Sequence, residues 1–179
     1  MKKKYIVWID LEMTGLNPEK DVILEIATVI TDMHLNKIEQ GPSFIINRSD
    51  TILDAMDEWP RKSHAKNGLT DACQKSTTSQ KQAEQDTLNF IKKHCDKGEG
   101  LLAGNSVWQD RAFLIKEMPE IIEHLHYRLI DVTAIKELIL NWYPSNEHAR
   151  FLKKDTHRAE EDILESIAEL THYKKHFFI

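Results

Sequence analysis

The sequence predicts an α/β fold with a mixed five-stranded sheet flanked by helices, and three observations carry that expectation. The first 47 residues hold three apolar, largely β-branched runs joined by short connections, the pattern of an antiparallel meander. After them, short apolar runs at 101–104 and 128–132 alternate with longer stretches of helical periodicity, the pattern of parallel strands joined by helical crossovers. No repeat, low-complexity stretch or linker interrupts the 179 residues, so one domain spanning 1–179 is expected.

The first strand is Tyr5 to Glu12. It is apolar until two carboxylates, Asp10 and Glu12, appear one residue apart. Thr14-Gly15-Leu16-Asn17-Pro18 reads as a turn, and Val22 to Asp32 as a long second strand interrupted by Glu25. The third strand covers 37–40 and 43–47, split at Gly41-Pro42, where a proline indicates an edge or a bulge. Residues 51–58 read as a short helix ended by Trp59-Pro60. Pro60 can open a second helix, which stops at Asn67-Gly68. Polar residues Ser76 to Ser79 then cap a long helix over 80–95, with Ala83, Thr87, Leu88, Phe90 and Ile91 facing inward. Strand four is 101–104, helices follow over 107–117 and 119–125, and strand five is 128–132. Two helices, 134–142 and 157–175, complete the chain. The apolar pairs Trp142-Tyr143 and Phe177-Phe178, with Ile179, read as core or, failing that, as an interface.

Composition narrows the function. Apolar residues make up 41% and charged residues 30%, as in globular chains rather than disordered ones. No run approaches the roughly 18 apolar residues of a membrane span. The basic start, Met1-Lys2-Lys3-Lys4, is followed by an apolar run that Asp10 and Glu12 break, so it is not expected to act as a signal peptide. Two cysteines, Cys73 and Cys95, form neither a zinc spacing nor a disulfide framework, and a cytoplasmic setting is expected. A net charge of −5 argues against electrostatic coating of long nucleic acid, but leaves open a metal site that takes a short phosphate-bearing substrate.

The carboxylates are the chemical signal. Alternation along a strand puts Asp10 and Glu12 on one face, about 7 Å apart along the backbone. An Asp-x-Glu pair alone is common where a strand runs out into solvent, but the chain supplies more. Asp110 lies three, four and eight residues before Phe113, Leu114 and Met118, hence on the inward stripe of its helix and in its first turn. Asp162 belongs to the stripe Ala159, Ile163, Ser166, Ile167 and Leu170, while Glu160, Glu161, Glu165 and Glu169 are expected to be solvated. Four inward acids on three elements need cations, and carboxylate oxygens suit Mg²⁺ or Mn²⁺. His157, one of nine histidines, shares the Asp162 face only at or before the helix start. There its ordinary pKa suits a general base.

Three motifs carry a family resemblance: Ile9-Asp10-Leu11-Glu12-Met13-Thr14-Gly15-Leu16, Asn105-Ser106-Val107-Trp108-Gln109-Asp110, and His157-Arg158-Ala159-Glu160-Glu161-Asp162. They resemble those of the DEDDh 3′–5′ exonucleases. With Glu58-Trp59-Pro60, Gly104-Asn105-Ser106, Asp110-Arg111 and Tyr127-Arg128…Asp131-Val132, they resemble the oligoribonuclease family within that group. The resemblance implies an RNase H-like fold, a homodimer, and removal of nucleotides from short single-stranded RNA as 5′-mononucleotides. It implies two divalent metal ions, Mg²⁺ or Mn²⁺, held by Asp10, Glu12, Asp110 and Asp162, with His157 deprotonating the attacking water. Leu16 and Trp59 would contact the bases, with Ser106 and Gln109 beside Asp110 and His64 as an additional substrate contact. Tyr127, Arg128 and Thr133 would cap the substrate's 5′ end, the first two supplied by the partner subunit. The chain departs from the family pattern at Trp108, Ala112 and Glu160-Glu161, where small, basic and Leu-Asp residues are usual. A DNA proofreading exonuclease and an inactive RNA-binding module are the alternatives.

Overall fold

The structure is a computed structural model that describes residues 5–153 and 158–178. Its sheet has the order β3-β2-β1-β4-β5, formed by β1 (Tyr5–Met13), β2 (Ile23–Asp32), β3 (Lys37–Ile45), β4 (Gly100–Gly104) and β5 (Leu129–Asp131). The first three strands are antiparallel neighbours, and β1–β4 and β4–β5 pair in parallel. The meander and the strand–helix alternation are both borne out.

β1 is central because both its faces are apolar until Asp10. Val7, Ile9 and Leu11 pack with Ala83, Leu88 and Ile91 of α4 (Gln80–Lys92), and with Phe113 and Leu114 of α5 (Val107–Glu117). Ile6 and Trp8 pack on the other face against Val132 and Ile139 of α7 (Val132–Trp142), and Ile163, Leu170 and Tyr173 of α8 (Ala159–Phe177). Trp8 is fully enclosed, and its indole N–H donates to Thr31 Oγ1 at 3.0 Å. Asp10 and Glu12 continue the Ile6–Trp8 parity, so they emerge under α8.

Several boundaries differ from expectation. β3 runs continuously through the expected split, and the edge or bulge expected at the proline is borne out. Its register slips where Gly41-Pro42 stands opposite Thr28, which places the proline in a bulge on the sheet edge. A β-carbon on Gly41 would lie 2.4 Å from the Phe90 ring, so this glycine lets α4 approach the bulge. The first short helix, α1 (Asp50–Asp54), ends before Trp59-Pro60, and α2 (Glu58–Lys66) includes that pair in its first turn, where proline's missing N–H has no helical acceptor to lose. Helix α3 (Leu69–Lys75) was not anticipated. It is short and polar but buries Leu69 and Cys73 against Leu24, Leu53 and Met56. The long helix α4 stops at Lys92, α6 covers Pro119–His124, β5 has only three residues, and α7 begins at Val132. Trp142 and Phe178 are 66% and 59% exposed, so these aromatics are surface rather than core. Among the described residues no helix is long and apolar enough to cross a membrane.

Candidate active site

The site forms where β1 runs out past β4. The β1–β4 pairing ends at Trp8–Ala103, so the Leu11 N–H has passed beyond its strand neighbour. Asp110, buried in the first turn of α5, takes that place: its Oδ1 accepts from Leu11 N at 3.0 Å. Asp10 and Glu12 project toward α8, where Asp162 in the first turn meets them. Carboxylate oxygens of Asp10, Glu12 and Asp162 all lie within 4.8 Å of one another.

Such crowding is costly in a half-buried setting, and the protonation equilibria show it. Burial, then repulsion from Asp162, Glu25 and Asp110, pushes Glu12 up to about 8, against a smaller opposing effect of Arg158. Burial pushes Asp110 up to about 7 despite the backbone hydrogen bonds it accepts. Asp10 is raised well above the usual carboxylate range by burial and by Asp110, Asp162 and Glu12, with Lys153 opposing. All the converging donors are hard oxygens, and the negative charge is undercompensated. Divalent cations of the Mg²⁺ or Mn²⁺ kind fit that set.

The carboxylates floor a cavity of about 570 Å³, whose lining includes Leu16, Trp59, His64, Asn105, Ser106 and Gln109. Leu16, in the turn after β1, and Trp59, in the first turn of α2, are 73% and 67% exposed and add apolar surface to the lining. The Leu16 turn is fixed by Asp21, which accepts from Thr14 Oγ1 at 3.1 Å and Asn17 N at 2.9 Å, and by Gln109 Nε2, which donates to Leu16 O at 2.6 Å. A β-carbon on Gly15 would stand 2.5 Å from the Asp21 carboxylate, so a larger residue would displace that carboxylate from its hydrogen bonds. His64 is buried beneath the cavity. Its Nε2 donates to Met13 O at 2.9 Å, which leaves Nδ1 3.8 Å from Glu12 Oε2.

Ser106 adopts a left-handed φ of 50° at the start of α5. Its N–H donates to Asp131 Oδ1 at 3.0 Å and Thr133 Oγ1 at 2.9 Å, so Ser106 and Thr133 are brought together. Tyr127 and Arg128 are exposed on the segment leading into β5, with the guanidinium 5.3 Å from the phenol ring centroid, and lie outside the cavity lining. The expectation for His157 lies outside the described residues.

Two further buried acids bond to residues beside the site. Glu25, on β2, is paired bidentately by Arg158 at 3.0 and 2.8 Å. Glu169, expected in solvent, is 1% exposed and accepts from Asn105, Tyr173 and Lys153. Its position was legible: it lies three residues after Ser166 and two helical turns after Asp162, on the inward stripe.

Comparison with known proteins places this geometry. The RNase_T family model, described as an exonuclease, matches residues 7–170. A probable oligoribonuclease of Dictyostelium discoideum is 53% identical over 173 residues, 97% of this chain and 90% of that one. The chain belongs to the oligoribonuclease family of exonucleases. Oligoribonucleases of Pasteurella multocida and Pseudoalteromonas atlantica are 48% and 47% identical, covering 99% and 97% of this chain and 96% and 95% of theirs. Among solved structures, Escherichia coli exonuclease I in complex with a dT13 oligonucleotide superposes with a TM-score of 0.75 at 13% identity, over 98% of this chain and 42% of that one. This oligoribonuclease-family chain therefore shares the RNase H-like fold of exonuclease I, and spans about two-fifths of that protein's length.

Proposed function

We propose that the chain, acting as a single exonuclease domain, is a 3′–5′ exoribonuclease that degrades short single-stranded RNA to 5′-mononucleotides. One observation carries the reading: four carboxylates from β1, α5 and α8 converge on the floor of a cavity with apolar walls. Asp10, Glu12, Asp110 and Asp162 would hold two divalent ions, Mg²⁺ or Mn²⁺. When bound, such ions supply the Lewis acidity for in-line phosphodiester displacement.

The chain's own residues do the rest. Leu16 and Trp59 would present exposed apolar surface of the cavity lining to the bases, and stacking on such a wall tolerates any base. Gln109 holds Leu16 in place. Ser106 offers a hydroxyl at the cavity lining, where it donates to Thr133 Oγ1 at 3.2 Å. His157 would take the proton of the attacking water, a task to which an imidazole is suited. His64 keeps the end of β1 in register through Met13 O rather than gripping substrate from the surface.

The exposed Tyr127 and Arg128 do not reach their own cavity lining. Supplied by a partner subunit, they would cap the substrate's 5′ phosphate, a task suited to a guanidinium fork. A homodimer also covers the exposed apolar face of Leu138, Trp142, Tyr143 and Phe178. A cytoplasmic location accords with two free, buried cysteines. The test is a comparison of dinucleotides of RNA and DNA in Mg²⁺. RNA cleaved faster supports the reading; DNA cleaved faster favours a proofreading-type exonuclease; cleavage of neither overturns both.

A further inference from the structure

Glu169 is an acid that the proposed reaction does not use, yet it is almost wholly enclosed. An enclosed carboxylate is retained only where its lone pairs are satisfied and its charge is balanced. Lys153 Nζ lies 3.0 Å from Oε2, Asn105 Nδ2 donates to Oε2 at 2.9 Å, and the Tyr173 hydroxyl donates to Oε1 at 2.9 Å. Tyr173 is on α8 itself, whereas the other two partners reach out of the helix. Asn105 is in the turn between β4 and α5, lines the cavity, and lies five residues before Asp110. Lys153 is the cation that opposes the raised affinity of Asp10 for its proton.

Because a carboxylate only accepts, Glu169 also settles the orientation of the Asn105 amide: Nδ2 faces Glu169, and Oδ1 is left enclosed with no hydrogen-bond partner among the described residues. An orphaned buried oxygen is unfavourable, so this orientation is imposed by Glu169 rather than chosen by Asn105.

Glu169 thus joins α8, two turns beyond Asp162, to the turn that launches Asp110 into the floor. We propose that Glu169 is a positioning residue that sets, through Asn105, the separation of Asp110 from Asp162. The inference rests on the reading of these acids as the metal ligands. Residues that orient metal ligands are worth about 10–100-fold in affinity or activity when removed.

The experiment is isothermal titration of Mn²⁺ into the intact protein, alongside kinetics on an RNA dinucleotide and thermal unfolding. Glu169→Gln keeps the shape but turns an N–H₂ toward a donor. It is expected to weaken Mn²⁺ binding by about 10-fold or more, and to lower kcat with little change in KM. Asn105→Ala cuts the same link while leaving Glu169 paired with Lys153, and is expected to weaken Mn²⁺ similarly. The double variant should bind no worse than the weaker single one, the mark of a shared path. The proposal is overturned if Glu169→Gln unfolds at lower temperature yet binds Mn²⁺ as the parent does, or if the losses of the two single variants multiply in the double. A parent protein that binds no Mn²⁺ instead overturns the metal-site reading itself.

Discussion

Glu12 offers the sharpest test of the metal site, because its burden depends on pH in a calculable direction. Its folded-state pKa is pushed up to about 8 from an ordinary 4.5, and that of Asp110 to about 7 from 3.8. The folded protein therefore holds protons that the unfolded chain has released. The contribution of these groups to stability is greatest below about pH 4, falls as pH rises, and has been lost above about pH 8. For Glu12 the difference corresponds to about 5 kcal/mol at face value. Water penetration and protein relaxation reduce it, and about 2–3 kcal/mol is a working figure at an effective dielectric near 20. In a chain of this size each kcal/mol moves Tm by roughly 2–4 °C, so the burden amounts to about 5–10 °C. Glu12→Gln, which carries no charge, should unfold higher than the parent in chelator at pH 8, and by much less at pH 5. Saturating Mg²⁺ or Mn²⁺ should raise the parent's Tm by a similar amount at pH 8, since about 2.7 kcal/mol accrues at 100 times Kd, and by far less at pH 5, where protons compete. Differential scanning fluorimetry at the two pH values measures all of this. If Glu12→Gln is the less stable protein in chelator at pH 8, or if the metal shift is equal at both pH values, the reasoning fails.

Asp10→Asn and Asp162→Asn should each abolish RNA hydrolysis in saturating Mg²⁺, because the cluster loses an anionic ligand; near-normal turnover of either would remove the four-carboxylate assignment. His157→Ala should lower kcat by roughly 10²–10⁴ while leaving Mn²⁺ titration largely unchanged, and should erase the acid limb of the pH–rate profile recorded with Mn²⁺ saturating at every pH, where proton competition at the carboxylates is overcome. A retained limb would identify another group as the base. Light scattering should give a dimer. Arg128→Ala should weaken binding of 5′-phosphorylated dinucleotides far more than that of longer RNA, and an equal loss at every length would dismiss the cap.

The sequence disclosed what repeats with a physical period. Alternation in β1 placed Asp10 and Glu12 on one face, and the α5 stripe placed Asp110 inward; both hold in the structure. What was missed has a local cause. Helix α3 is only seven residues long and mostly polar, too short for periodicity to emerge, and only its packing on Leu24 and Leu53 makes it a helix. At Gly41-Pro42 the bulge that the proline signals is present, but the strand runs on through it, because Ser43, Phe44 and Ile45 still pair with β2. Glu169 was assigned to solvent by its charge, although its spacing from Asp162 and Ser166 already put it inside. Its partners, Asn105 and Lys153, come from segments that only the tertiary fold brings near. Trp142 and Phe178 err in the opposite sense. Their apolar character indicated burial, but α7 and α8 leave them at the surface, where a second subunit would cover them.

The central claim is stepwise removal of nucleotides from the 3′ end of short RNA, down to the last phosphodiester bond. Incubation of the protein with 5′-labelled RNAs of lengths from two nucleotides upward, in Mg²⁺ with sampling over time, tests it most directly. The account expects a ladder of labelled products that shortens by one nucleotide at a time, ends at the labelled mononucleotide, and leaves no lasting dinucleotide. Release of labelled mononucleotide from the longer RNAs before any ladder forms, or a dinucleotide that persists, would contradict it.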